Sequence, residues 1–122
     1  MSPTNHTINY LELPLADTDA TKSFYSSTFG WEFQDWGPDY LSFTGAEVAG
    51  GFNRERKPAD SGAGPLIVLF SDNLETTQQA ANTNGAQISR EIYGFPGGRR
   101  FHFIDPNGNE VAVWGEAAEE SG

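Results

Sequence analysis

The feature that most constrains the fold is an internal repeat of one strand, one helix and several further strands. One apolar run ends before Asp17, and twelve residues lie between Asp17 and Gly30. A second apolar run ends before Asp72, and twelve residues lie between Asp72 and Gly85. Each half thus has an acidic residue that can cap a helix and a glycine that can end one. Glu75 would complete a capping box with Asp72. The recurrence predicts two similar modules whose sheets combine around one cavity.

Apolar alternation and turn residues place the remaining elements. The predicted strands span 8–15, 31–36, 40–44, 47–53, 65–70, 86–93 and the two halves of 101–114, and the predicted helices span 17–29 and 72–85. We expect a single domain over residues 1–122, with a first module at about 6–53, a linker at 54–64, a second module at about 65–115 and an acidic tail at 116–122. Glycines 50 and 51 lie inside a predicted strand, which indicates a bulge or a closely approached backbone.

The segment 101–114 carries the strongest hairpin signal. Asp105-Pro106-Asn107-Gly108 lies between two β-prone runs, where proline fixes one turn angle and Asn-Gly tolerates the positive φ of a tight reversal. After the turn, Val111 and Val113 alternate with Ala112. The pattern predicts two antiparallel strands that close the fold.

Charge and composition exclude several classes of protein. The net charge is −10, which argues against nucleic acid because phosphate binding needs clustered lysine and arginine. The acidity favours either a solvated surface or a cationic ligand. The chain has no cysteine, no apolar run of membrane-spanning length and no predicted leader, so we expect a cytoplasmic protein without a membrane partner.

Two stretches resemble the glyoxalase / bleomycin-resistance / dioxygenase superfamily, also called the vicinal oxygen chelate proteins. The first runs from Tyr10 to Trp31 and contains Phe24-Tyr25 and Phe29-Gly30-Trp31; the second is Phe-Ile-Asp-Pro-Asn-Gly-Asn-Glu at 103–110. The resemblance implies an α+β fold. In it, two tandem β-α-β-β-β modules form a U-shaped, partly open, barrel-like sheet around a cavity. It also implies a homodimer.

Enzymes of this family hold a divalent metal with His and Glu side chains on the concave face of the sheet. Taken position by position, the resemblance places the first ligand on Tyr10, another on Leu66 and the last on Ala112. The remaining position falls within 50–52, where no metal-binding side chain is present. At least three of the four ligands are thus missing, and we expect no metal and no other cofactor. A metal held by Glu12, Glu110 and His102 is an alternative.

Without a metal, the concave face reads as an apolar and aromatic pocket with a few polar groups, which is typical of sites for organic ligands. The predicted ligand-binding residues are Tyr10, Glu12, Phe52, Leu66, Val68, Phe70, His102, Ala112 and Trp114. Their aromatic members could instead fill a core or a dimer interface.

Glu12 is the one candidate catalytic residue. A carboxylate on an otherwise apolar inner face can serve as a general base or pair with a cationic ligand. The alternative is a salt bridge with Arg90, Arg99 or Arg100.

The sequence therefore predicts a small-molecule-binding member of this superfamily, without the usual metal site and with a cationic ligand favoured by the acidic charge. A second hypothesis is a lyase, isomerase or dioxygenase that uses an atypical metal site or Glu12 as a base. A third is a subunit whose paired sheet serves assembly. The first two hypotheses differ in whether a reaction is catalysed.

Overall fold

A computed structural model describes residues 4–60 and 62–117. Its elements follow one another in the predicted order. They are β1 Tyr10–Pro14, α1 Thr18–Phe29, β2 Glu32–Asp35, β3 Tyr40–Thr44, β4 Ala49–Asn53, β5 Ile67–Phe70, α2 Leu74–Thr83, β6 Gln87–Phe95, β7 Gly98–Ile104 and β8 Glu110–Gly115. Most of the predicted acidic tail, residues 118–122, lies outside the described residues.

The two modules have the same topology. The first sheet has the order β1-β4-β3-β2 and the second has the order β5-β8-β7-β6. In each, the strand before the helix pairs in parallel with the last strand, and the other pairs are antiparallel. The predicted α+β class and repeated module are confirmed, and the two four-stranded sheets of the described chain form no closed barrel.

The helix boundaries follow from their caps, with one correction. The Asp17 side chain accepts from the Ala20 amide, and Gly30 ends α1 in the left-handed conformation at φ 76°. The predicted Asp72–Glu75 capping box is wrong, because Asn73 caps α2 and accepts from the Thr76 amide at 3.2 Å. Asparagine and aspartate cap helices about equally well, so the sequence alone did not choose between neighbouring candidates.

One core spans both modules. The α1 side chains Phe24 and Tyr25 are each 1% exposed. Phe24 packs against Phe103 of β7 with ring centroids 5.4 Å apart. The Tyr25 hydroxyl donates to the Asp105 carboxylate at 2.8 Å. Burial and the neighbouring Asp105 charge raise the pKa of Tyr25 well above its usual value. The helix of the first module is thus held by the closing hairpin of the second.

The closing turn confirms the hairpin and has a further role. The buried Asn107 Oδ1 accepts from the backbone amides of Ala16 and Asp17 at 2.7 and 3.0 Å, and from the Thr21 hydroxyl at 2.9 Å. It thereby satisfies amides at the start of α1, which have no partner within the helix.

Gly50 and Gly51 are glycines because neighbouring atoms lie close to the backbone at both positions. A Cβ on Gly51 would lie 2.4 Å from the Tyr40 hydroxyl, and one on Gly50 would lie 2.5 Å from the Leu11 carbonyl oxygen. The register between β1 and β4 is regular through both positions. Within the described residues, no helix is long and apolar enough to cross a membrane.

Candidate functional site

A cleft of about 460 Å³ opens on the face of the second sheet that points away from the helices. One wall is formed by residues 59–60 and 62–66, which precede β5, and the floor consists of side chains from β6, β7 and β8. The lining residues are Ala59, Asp60, Gly62, Ala63, Gly64, Pro65, Leu66, Ser89, Arg90, Arg100, His102 and Glu110. The wall is thus mostly small and apolar, whereas the floor is polar.

A chain of hydrogen bonds runs along the floor. His102 on β7 is 7% exposed, and its Nδ1 lies 3.0 Å from Glu110 Oε2. Its Nε2 lies 3.2 Å from the Tyr93 hydroxyl. The other Glu110 oxygen accepts from the Gly62 amide at 3.0 Å, which ties the wall to the floor. With Nδ1–H donating to the carboxylate, Nε2 accepts a hydrogen bond from the Tyr93 hydroxyl.

Two arginines flank the Tyr93 ring. The Arg90 guanidinium carbon lies 3.6 Å from the ring centroid and that of Arg100 lies 5.6 Å from it. Arg100 Nε also donates to the Tyr93 hydroxyl, and its guanidinium lies 5.6 Å from the Phe95 ring. Stacking on an aromatic face and a hydrogen bond fix the orientation of such side chains.

Of the predicted ligand-binding residues, Leu66 and His102 line this cleft. Ala112 pairs in register with His102 and is fully buried. The structure thus fixes the facing of His102, which the sequence left undecided, and joins it to Glu110.

Tyr10 and Glu12 lie on the other sheet, in a separate polar cluster. The Tyr40 hydroxyl contacts the Tyr10 hydroxyl and donates to Glu12 Oε2 at 3.1 Å, and Asn53 Nδ2 donates to Glu12 Oε1 at 3.1 Å. Burial, together with the bonds to Tyr10 and Glu12, raises the pKa of Tyr40. Glu12 forms an ion pair with Arg56 at 4.0 Å, whereas Arg99 pairs with Glu75, so the alternative of a salt bridge between Glu12 and Arg90, Arg99 or Arg100 is wrong.

Three predicted apolar residues lie away from the cleft lining. Phe70 is 57% exposed and packs edge-on against Trp114, with ring centroids 5.1 Å apart. Val68 is 41% exposed. These side chains form an apolar patch on β5 and β8 of the second sheet.

Phe52 is a correction to the predicted pocket. It is fully buried, and its ring lies 5.3 Å from that of Tyr25 on α1. Residues of a strand alternate between faces, and Gly51, opposite Glu12, takes the open face of β4. Phe52 therefore faces the helices and packs in the core.

The residues that the resemblance places at metal positions do not fit a divalent cation. Leu66 and Ala112 carry no donor atom, and the Tyr10 hydroxyl is bonded to that of Tyr40. Across residues 4–60 and 62–117, no group of three His, Cys, Asp or Glu side chains is placed to hold a metal. Glu12 therefore does not join His102 and Glu110 in a three-ligand site.

Tyr93, which the hydrogen bond to His102 joins to the site, was not among the predicted site residues. Arg90 and Arg100 were considered as partners of Glu12, and the wall residues 59, 60 and 62–64 fell within the predicted linker, 54–64. A usable signal was the alternation of Arg100 and His102 on β7, which puts both on one face. The partner strand β6 shifts register between Ile88 and Arg90 and again before Tyr93, so its facing could not be counted from sequence.

The sequence matches a family model over residues 7–113, and the family is described as the Glyoxalase/Bleomycin resistance protein/Dioxygenase superfamily. CFP32 of Mycobacterium tuberculosis and Mycobacterium bovis, provisionally named a glyoxylase, is 25% identical over 117 residues. The match covers 88% of this chain and 45% of CFP32. The chain thus spans about half the length of the curated relatives it matches.

Solved structures show the same fold. TnmS3, an antibiotic binding protein from Streptomyces sp. CB03234, has a TM-score of 0.70 at 18% identity, with 95% of this chain and 100% of that chain covered. Lactoylglutathione lyase from Agrobacterium tumefaciens has a TM-score of 0.69 at 19% identity, with 92% and 95% covered. At these identities the likeness establishes the fold, and function has to be argued from the site.

Proposed function

We propose that this chain, which belongs to the Glyoxalase/Bleomycin resistance protein/Dioxygenase superfamily, binds a small organic molecule in the cleft of its second module without a divalent metal. The observation that carries the proposal is the cleft itself, about 460 Å³ in volume with an apolar wall facing a polar floor. Sites for organic ligands are commonly roughly 300–1,000 Å³ and combine apolar walls with a few fixed polar groups.

The polar groups of the floor support this proposal because they are already oriented. His102 is held between Glu110 and Tyr93, and Glu110 is held in turn by the Gly62 amide. A ligand therefore meets donors and acceptors whose positions are fixed before it binds, which lowers the entropic cost of binding.

We exclude a divalent metal because the side chains at the implied metal positions are unsuitable ligands. The positions that the resemblance assigns to metal ligands are Tyr10, Leu66 and Ala112. They carry a phenol that is hydrogen-bonded to Tyr40, an isobutyl group and a methyl group. A divalent cation needs several anionic or imidazole donors that converge. We expect metal analysis of the purified protein to find no stoichiometric Zn²⁺, Ni²⁺, Mn²⁺ or Fe²⁺, and tight binding of any of them would contradict this.

A variant that fills the cleft tests the proposal. Ser89 lies in the cleft lining and Ser27 is exposed on α1, so Ser89→Trp and Ser27→Trp make the same change inside and outside the site. Compounds that raise the melting temperature of the wild type would be titrated against all three proteins by calorimetry.

We expect Ser89→Trp to weaken binding by about tenfold or more, because the indole removes space that the ligand needs. Ser27→Trp should bind as the wild type does, and EDTA should change neither result. Compounds that bind Ser89→Trp with undiminished affinity, or that require a metal, would rule out the proposed site.

A second candidate function is proton transfer to or from the bound molecule. The hydrogen-bonded series Glu110, His102 and Tyr93 favours it, because Glu110 orients the imidazole, and as a ligand proton reaches the Tyr93 oxygen the phenol's own proton can pass to His102 Nε2. Mass spectrometry of the identified ligands after incubation in deuterated water with wild type and His102→Gln would detect it as a deuterated product. A product formed equally by both proteins would rule out this role for His102. Glu12, which accepts a hydrogen bond from Tyr40 in the first module, is a separate candidate, and its predicted role is that of a general base.

We also propose that two copies of the chain pair. The support is a set of large apolar side chains that the chain itself leaves exposed, namely Ile8, Tyr10, Trp36, Val68 and Phe70. Sedimentation equilibrium should give twice the mass of 13.3 kDa, and a concentration-independent monomer would contradict pairing.

A further inference from the structure

Two arginines of the cleft stand apart from the other arginines of the chain. Arg54, Arg56 and Arg99 each form an ion pair with a carboxylate. The ion pairs of residues 4–60 and 62–117 use neither Arg90 nor Arg100. The chain has 17 acidic residues and only 7 basic ones, so a basic group without an acidic partner is unexpected on composition alone.

Both guanidinium groups are positioned by aromatic contacts instead. Arg90 stacks on Tyr93, while Arg100 lies near the rings of Tyr93 and Phe95 and donates from Nε to the Tyr93 hydroxyl. Neither contact uses the terminal N–H groups, which are the donors that bind carboxylate and phosphate oxygens in pairs.

Among the ion pairs of the described residues, none joins the two acidic groups of the cleft, Glu110 and Asp60, to these arginines. The Glu110 oxygens accept from His102 and from the Gly62 amide, and Asp60 lies on the exposed rim. The many other carboxylates of the chain act weakly at the floor, because salt at physiological strength screens exposed charges beyond about 8 Å. The lining thus sets the two guanidinium groups of Arg90 and Arg100 against the two carboxylates of Asp60 and Glu110, and it lacks the acidic excess of the whole chain, whose net charge is −10.

We propose that the cleft selects a small organic anion, whose oxyanion group lies against Arg90 and Arg100 and whose carbon body lies against the wall. The wall offers Ala59, Ala63, Pro65 and Leu66 for that body. This inference rests on the proposed function and specifies its ligand class. It reverses the ligand charge that the overall acidity favours.

Three probes of one shape separate the possibilities. Benzoate is an anion, benzamide is neutral and benzamidinium is a cation, and all three carry the same ring. Each would be titrated into the full chain by calorimetry, and each would be repeated with Ser89→Trp. We expect benzoate to bind about tenfold more tightly than either of the others, since a charge-assisted pair is stronger than a neutral one.

Neighbouring arginines supply the matched control. Arg99 and Arg100 are adjacent on β7, but Arg99 pairs with Glu75 outside the cleft. Arg90→Gln and Arg100→Gln should each weaken benzoate binding by about tenfold, while Arg99→Gln should leave it unchanged. Circular dichroism melts would establish that each variant is folded.

The outcomes distinguish this inference from the proposed function. Preference for benzamidinium, equal binding of the three probes, or no binding of benzoate overturns the organic-anion inference. Benzamide or benzamidinium binding that Ser89→Trp weakens would at the same time leave the proposed cleft in place. Benzoate binding that Arg99→Gln weakens as much as Arg100→Gln also overturns it, because the effect would then be one of general charge.

Discussion

The two modules share a topology but differ on their open faces. On the first sheet, Tyr40 lies over Gly51 and contacts Tyr10 and Glu12, so the polar groups satisfy one another. On the second sheet, the floor side chains point into a cleft of about 460 Å³. The order of strands is the same in both.

The comparison separates what the repeat determines from what it leaves free. Caps, turn residues and apolar alternation recur in both halves and produce the same strands and helix twice. The outward side chains do not recur, and our proposal places the ligand on the second half for that reason. A chain can thus keep a duplicated fold while only one copy carries a site.

The largest expected effect concerns the helix starts of the two modules. Asn107, 5% exposed, accepts three hydrogen bonds at the start of α1, whereas the N-cap Asn73 of α2 accepts one from Thr76 at the surface. Asn107→Ala should lower the free energy of unfolding by about 3 kcal/mol, because it leaves buried donors unpaired. Asn73→Ala should cost about 1 kcal/mol. Urea denaturation measures both, and equal losses would show that the first module does not depend on the turn of the second.

The buried bond between the modules gives a pH dependence. Burial first, and then the Asp105 carboxylate, raise the pKa of Tyr25, so the folded chain keeps this phenol neutral where the unfolded chain ionises it. The stabilisation is complete below about pH 10 and is lost as the pH rises above it, by about 1.4 kcal/mol per unit. Unfolding free energies of wild type and Tyr25→Phe should converge between about pH 10 and 12. A constant difference between them would contradict a raised pKa.

The smallest expected effect compares one strand glycine in each module. A Cβ on Gly51 would meet the Tyr40 hydroxyl at 2.4 Å, whereas the nearest atom to a Cβ on Gly94 is 4.0 Å away. Gly51→Ala should displace Tyr40, cost about 1 kcal/mol and return the pKa of Tyr40 toward its ordinary value. Gly94→Ala should cost little. Ultraviolet titration of the phenols and urea denaturation test both, and an unchanged titration in Gly51→Ala would show that Tyr40 is not held there.

Sequence reasoning reached the fold because its signals are local. Asp17, Gly30 and the turn at 105–108 act on their own neighbours, so their roles can be read without knowing which strands pair. The choice of Asn73 over Asp72 as a cap was missed for the same reason, since both residues suit the position.

The site was only partly predictable because it depends on register across strands. Leu66 and His102 were placed in it, whereas Phe52 was assigned to the wrong face. Tyr93 meets His102 only because β6 shifts register twice along β7. Nothing in a linear pattern reports such a shift.

The most direct test of the central claim is a nuclear magnetic resonance titration of the ¹⁵N-labelled chain with benzoate. The account predicts that amide shifts concentrate at 59–66, at 89–93 and at 100–110, with residues around Tyr10, Glu12 and Tyr40 unaffected. Shifts confined to the first sheet, or spread evenly over both, would contradict the claim that only the second module carries the site.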